Sequence, residues 1–498
     1  MRSTIKIVIL LFFICISMSG ASFPDMEKYM RQHALIWEQL PMQWNEGAFL
    51  GNGLVGMMVY ADSTLNALVF HLGRPDVTDH RKAPYRKTSI GTEEADKMVD
   101  FCRLDVGKML LFPEGKILSG TFYLDIYNAE LTGHLKTDKG DLTFHAYTPQ
   151  PEEVNIVEVS SGVPYRWKGI PGNPCSPRIR VFPHLKEKLK YKDNPAPVVN
   201  QKDKEGSWVQ SLLAGGDYAT YWKEVPGGKS RSVLYVSTAN EVPASSLSLA
   251  KAMKTVEATQ ITGTKLLKQK TRQWWNAYHE RSFLSIPDKK LENFYFIQMY
   301  KLATCSHPDG PAMDVMGTFF KLSPWPSFWW NLNIQLTYMP IGPANRMEQG
   351  KNFQRLMDEV FPSLVRSIEP CKIGDYTWAL QNYYMYLRYA GADWQDIKQQ
   401  VVPKALDAFA VFDKILCYKE NTWHLTHIES PEYEGFQKYN DSNYGLASLS
   451  WLLQTLIACH DRTSSTHPDY ARWKEILTRL APYPTNENGL MIAANKPL

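Results

Sequence analysis

Between His427 and Gly435 the chain reads His427-Ile-Glu429-Ser-Pro-Glu432-Tyr-Glu434-Gly435. Three carboxylates fall close together in a loop bounded by proline and glycine. A carboxylic acid in such a loop could protonate the leaving oxygen of a glycosidic bond. It would need burial or a second carboxylate to raise its pKa. A solvated acidic loop accounts for the same letters. Upstream, Trp325-Pro-Ser-Phe-Trp329-Trp330-Asn331-Leu-Asn333-Ile-Gln335 sets three amides beside three indoles. An amide offers donors and an acceptor to hydroxyl groups, and an indole offers a flat apolar face. A helix start with asparagine caps, packed by aromatics, is the alternative.

Two other motifs carry less. His424-Leu-Thr-His427 could place two imidazoles on one side of a helix, but no HExxH pattern or spaced cysteine accompanies it. Gly51-Asn-Gly53-Leu-Val-Gly56 matches the dinucleotide fingerprint in letters. A strand, Met57 to Tyr60, follows it where a phosphate-binding helix would be needed, so glycines in a tight turn are expected. No P-loop and no nucleophile elbow occurs. Neither a cofactor nor a metal is expected.

Positioning these residues requires a large fold. The chain has 498 residues, 44% hydrophobic and 21% charged, which excludes a disordered chain or a coiled coil. A net charge of +4 is too even to argue for nucleic acid. Arg2 and Lys6 precede an apolar run, Ile7 to Met18, with Ser19, Gly20 and Ala21 after it. That pattern predicts an export signal over residues 1–20. The mature protein is then expected in the periplasm or outside the cell, with no stable membrane insertion. Phe-Ile-Cys15 is a poor lipid-attachment site. The other six cysteines are widely spaced and suggest buried thiols rather than a disulfide framework.

The first half alternates like strands at Gly56 to Tyr60, Leu65 to Leu72, Leu142 to Tyr147, Asn155 to Ser160 and Ser232 to Ser237. Such a series predicts an antiparallel β-sandwich over residues 21–245. Residues 246–286, with Arg272-Gln-Trp-Trp-Asn, predict linker helices. Beyond Pro287 the chain reads as helical. Its clearest helix carries Leu446, Leu449, Leu453 and Leu456, with Asp441 and Ser442 as caps.

Taken together, Leu50-Gly-Asn-Gly-Leu-Val-Gly56, Arg74-Pro-Asp-Val-Thr-Asp79-His-Arg81, Trp274-Trp275, Trp330-Asn331-Leu-Asn333-Ile-Gln335 and Glu429-Ser-Pro-Glu432-Tyr resemble, in order, the marks of glycoside hydrolase family 95, the α-L-fucosidase and α-L-galactosidase family. The resemblance spans about residues 30 to 460. It implies a β-sandwich, a helical linker and an (α/α)6 barrel, of which residues 287–498 would form the N-terminal part. It implies inverting hydrolysis of terminal α-L-fucosyl or α-L-galactosyl residues in an oligosaccharide or polysaccharide. Glu432 falls on the family's general acid, and Asn331 and Asn333 on the amides that hold the water. Trp329, Trp330, Gln335, Trp378 and His427 are the expected substrate-binding residues.

The chain departs from the family at Met339-Pro340, where Trp-Pro is usual. Residues 287–498 are too few for twelve helices of about 11–12 residues with their loops. The His-Arg-His segment and the late aspartate that activates the amides have no match, and Asp441 is the nearest candidate base. A truncated chain that binds glycans without turnover is therefore the alternative expectation.

Overall fold

The computed structural model describes residues 25–81, 101–228, 230–241, 247–328, 330–429, 437–494 and 496, with the backbone alone at Asn331. Two antiparallel sheets make up the N-terminal part. The nine-stranded sheet runs from Leu35–Trp37 through Ile117–Asp125, Glu130–Thr137, Asp141–Tyr147, Asn155–Ser161, Arg231–Glu241, Asp217–Pro226 and Glu205–Ser211 to Val198–Gln201. The five-stranded sheet runs Tyr165–Ile170, Lys108–Pro113, Ala67–Gly73, Gly56–Asp62, Ala48–Gly51. Period-two burial along Glu130–Thr137 sends Leu131, Leu135 and their neighbours inward and the polar positions out. Between the sheets Phe70 meets Phe144 edge-on at 5.5 Å, and Phe122, from the same sheet as Phe144, meets it edge-on at 5.5 Å.

Ala67–Gly73 is buried along its whole length, because both faces of its sheet are covered. One face meets the nine-stranded sheet, and segments of the helical half lie on the other. Gly53 has φ +82° and donates its amide to the Thr304 carbonyl at 3.0 Å. A Cβ on Gly73 would lie 2.1 Å from the Thr318 carbonyl oxygen. The Gly51 to Gly56 run is thus the tight turn expected from the sequence, and its missing side chains let a second backbone approach. Asn52 fixes the turn: its side-chain oxygen accepts from the Leu54 and Val55 amides, and its amide donates to the Pro149 and Glu152 carbonyls.

Helices of seven or more residues are numbered α1 to α10. The helix α1 (Ser248–Thr262) lies on the nine-stranded sheet, with Ala252 and Val256 packed among Tyr221 and Tyr235. The α2 helix (Thr264–His279) turns off it at Gly263 and buries Trp275 against Tyr300 of α3 (Lys289–Cys305), ring centres 4.9 Å apart. The remaining helices share one core: α4 (Lys351–Glu359), α5 (Phe361–Ser367), α6 (Ile373–Tyr389), α7 (Trp394–Gln400), α8 (Val402–Phe412), α9 (Asn443–Thr463) and α10 (Tyr470–Thr478). Ser442 caps α9 by accepting the Gly445 amide at 3.1 Å, and Leu446, Leu449, Leu453 and Leu456 are fully buried. None of the six cysteines among the described residues forms a disulfide, and no described helix is long and apolar enough to cross a membrane.

Arg103 ties the halves together. It is almost wholly buried and pairs with Asp314 at 3.1 Å. Its guanidinium also donates to the Gly317 carbonyl at 2.6 Å, and its backbone amide to Pro326 at 2.6 Å. Removing one partner of a buried pair strands the other charge. Arg103→Ala is expected to destabilise the protein by about 3–5 kcal/mol, read as a lowered midpoint of the first unfolding transition in urea.

Candidate functional site

The helix α6 is the hub on which the sequence motifs meet. The segment Trp330–Ile334 forms a single π-type turn, running into the short helix Gln335–Tyr338, and both pack on α6. Ile334 stands at the N-cap of that helix, with no side-chain cap hydrogen bond. Leu332 sits at φ +60°, a costly conformation for a leucine and one that recurs where a turn is held for function.

The expected residues fall into layers. Trp330 is fully buried, edge-on to Phe328 at 5.1 Å and tilted over Tyr376 at 5.3 Å. Gln335 is fully buried too. Its amide donates to the Asp375 carbonyl at 2.9 Å, while its own backbone carbonyl accepts from Asn382 at 3.0 Å. These two brace the turn from beneath. Asn333 is exposed. Trp378 stands partly open on α6 and faces Tyr444 of α9 edge-on, at 6.4 Å. Trp329 and Glu432 lie outside the described residues, as does the side chain of Asn331.

His424 and His427 are on no helix. His424 belongs to the strand Thr422–Leu425, and His427 is exposed in the following turn at φ +54°. His424 Nδ1 lies 2.7 Å from Asp441, whose other oxygen accepts the Leu425 amide at 2.8 Å. Asp441 is thereby occupied in holding this turn. No group of three or more ligating side chains that could hold a metal ion occurs among the described residues.

A groove of about 240 Å³ opens between α6 and α9, lined by Thr377, Trp378, Gln381, Tyr444, Ala447, Ser448 and Trp451. Two indoles, a phenol ring, hydroxyls and an amide are the mixture that a hydroxylated ring would contact. Behind it lies a carboxyl that composition and spacing did not single out. Asp375, in the first turn of α6, accepts from the Tyr444 hydroxyl at 2.7 Å. Burial pushes its pKa up to about 7; the Tyr444 hydrogen bond and Lys372 pull it down, and the charge of Glu429 adds to the rise. Glu429 is itself pushed up by burial, against the pull of Lys372 and Lys438. It pairs with Lys438 across the strands Ile428–Glu429 and Lys438–Tyr439, and Cys371 Sγ lies 3.7 Å from its carboxylate. The strand ending at Glu429 packs against the turn before α6 and against α6 itself, which brings Glu429 close enough for its charge to act on Asp375. The sequence signal for Asp375 was only its place three residues before Trp378.

No family model matches the chain, and no curated protein does. Among solved structures, a putative kojibiose phosphorylase from the human microbiome superposes with TM-score 0.57 at 9% identity, covering 90% of this chain and 68% of that one. A bacterial glucoamylase complexed with acarbose superposes with TM-score 0.51 at 9% identity, covering 90% and 69%. The chain therefore shares its fold, β-sheet part and helical part together, with enzymes that act on glycosides.

The Asp375 carboxyl has a signed consequence. A folded-state pKa of about 7 means the native protein keeps a proton that the unfolded chain releases near its ordinary value. Stability from this group is then lost as pH rises from the ordinary carboxylate range to about 7. Asp375→Asn is expected to remove that loss and to melt higher than the parent at pH 8, with a smaller difference at pH 4, as read by thermal unfolding across pH.

Proposed function

We propose that this protein is an exported glycoside hydrolase. In this reading it removes terminal α-L-fucosyl or α-L-galactosyl residues from complex glycans, with inversion. One observation carries the reading: α6 gathers the Trp330–Gln335 turn, the strand ending at Glu429 and the aromatic groove at Trp378 and Tyr444. The helical half is read as part of an (α/α)6 barrel, with residues 21–245 as the sandwich and 246–286 as the linker. The fold shared with glycoside-acting enzymes supports this, and the ordered motifs support the finer assignment.

The division of labour follows from the chemistry. Glu432 gives its proton to the leaving oxygen. Asn331 and Asn333 hold the water on the opposite face, since inversion needs the two groups well apart. An amide is a weak base, so a carboxylate must assist it. Asp441 is committed to His424 and the Leu425 amide, which leaves the assisting carboxylate to be sought elsewhere.

The test is turnover of aryl α-L-fucoside and α-L-galactoside. Glu432→Gln is expected to lower kcat by about 10²–10⁴-fold, and Trp378→Ala to raise KM while the protein stays folded. Glycan-array binding without turnover would favour the non-catalytic alternative. Turnover unchanged in Glu432→Gln would overturn the acid assignment.

A further inference from the structure

The contact between Asp375 and Tyr444 joins a half-buried carboxyl to the wall of the groove, and three observations fix its geometry. The Tyr444 hydroxyl lies 2.7 Å from Asp375 Oδ1. The Tyr444 ring presses on Gly374, where an added Cβ would come within 2.3 Å of Cε1. On its open side the same ring lines the groove and meets Trp378 edge-on. The ring is thus held by a hydrogen bond at its tip and a notch at its edge, with one face left for a ligand. Asp375 is held in turn, because its carbonyl accepts the buried Gln335 amide.

We propose that Asp375 is a positioning residue for sugar binding: by accepting the Tyr444 hydroxyl it sets the angle of the ring that walls the Trp378–Trp451 groove, and it holds that ring more tightly as a carboxylate than as a neutral acid. This deepens the reading of the groove as a sugar site and rests on it. The reason is the strength of the bond. A hydroxyl donating to an ionised oxygen makes a shorter and roughly twice stronger hydrogen bond than one donating to a neutral carboxyl. A firmer wall costs less ordering when a ring binds.

Among the described residues, three charged or titratable groups act on Asp375. Tyr444 comes from α9, Glu429 from the strand at the loop root and Lys372 from the turn before α6, while Gln335 brings an uncharged amide. Glu429 favours the neutral acid and Lys372 the carboxylate. Affinity for a sugar ring therefore rises with pH through neutrality, as Asp375 ionises.

The experiment is calorimetric titration of the full chain with methyl α-L-fucoside, methyl α-L-galactoside and methyl α-D-glucoside at pH 5.5 and pH 8.5. The parent is expected to bind at least one of them roughly three- to tenfold more tightly at the higher pH. Asp375→Asn, which keeps an acceptor but cannot ionise, and Tyr444→Phe, which lacks the donor, are both expected to bind equally at the two pH values. Glu429→Gln should keep the step and move it to lower pH. Thermal melts of each variant confirm that it is folded. A residue of purely structural weight would alter the melts and leave the pH step in place. A step that survives in both Asp375→Asn and Tyr444→Phe overturns the inference, as does a parent with no step. Absence of binding by the parent to all three probes at both pH values overturns the sugar reading itself, and this inference with it.

Discussion

The structure depends on how closely the helical half seats on the five-stranded sheet. That sheet offers a face from which side chains are missing where they would obstruct, at Gly51, Gly53, Gly56 and Gly73. Into that space come the backbones at Thr304, Ser306 and Thr318. A close backbone approach leaves little tolerance, so its position must be fixed from both sides. Arg103 does so from the sandwich, gripping Asp314 and the Gly317 carbonyl. Arg178 adds a second grip, donating to the Pro324 carbonyl at 2.5 Å. The grips at 314–318 and 324–326 lie immediately before Trp330, so the sandwich determines where the asparagine turn begins.

From that turn inward the constraint passes to α6. Its buried face packs Ile373, Tyr376, Leu380, Tyr383 and Leu387 into the helical core. Its first turn brings Asp375 under Tyr444 and Gln335, and its open side presents Trp378. The site is therefore held by the buried Gln335 and the half-buried, hydrogen-bonded Asp375 and Tyr444, the condition for a preorganised binding surface. A carboxyl that keeps its proton up to about pH 7 is the electrostatic cost of placing Asp375 there.

Much of this could be read from the letters. The strand runs were visible because one-sided burial imposes period two, and the α9 helix because its leucines recur at steps of three and four. The glycine run was separable from a nucleotide loop because a strand followed it. Its second purpose was hidden, since the backbone it admits lies some 250 residues further on. The asparagine segment stood out as a candidate site, but its backbone was hidden, because nothing local announces a π-type turn with leucine at positive φ. The histidines seemed suited to a helix, but β-pairing of Leu416–Lys419 with Thr422–Leu425 places them in a hairpin and its exit. Asp375 could not be found from sequence, because its meaning lies in three partners from separate elements: Tyr444, Gln335 and Glu429.

The central claim is that α6 presents a sugar-binding surface at Trp378, Tyr444 and Trp451. A crystal structure of the protein soaked with an oligosaccharide ending in α-L-fucose or α-L-galactose tests it most directly. The account predicts the terminal ring in the groove between α6 and α9, within van der Waals contact of Trp378 and Tyr444. A ring bound elsewhere, with this groove holding only solvent at saturating ligand, would contradict it.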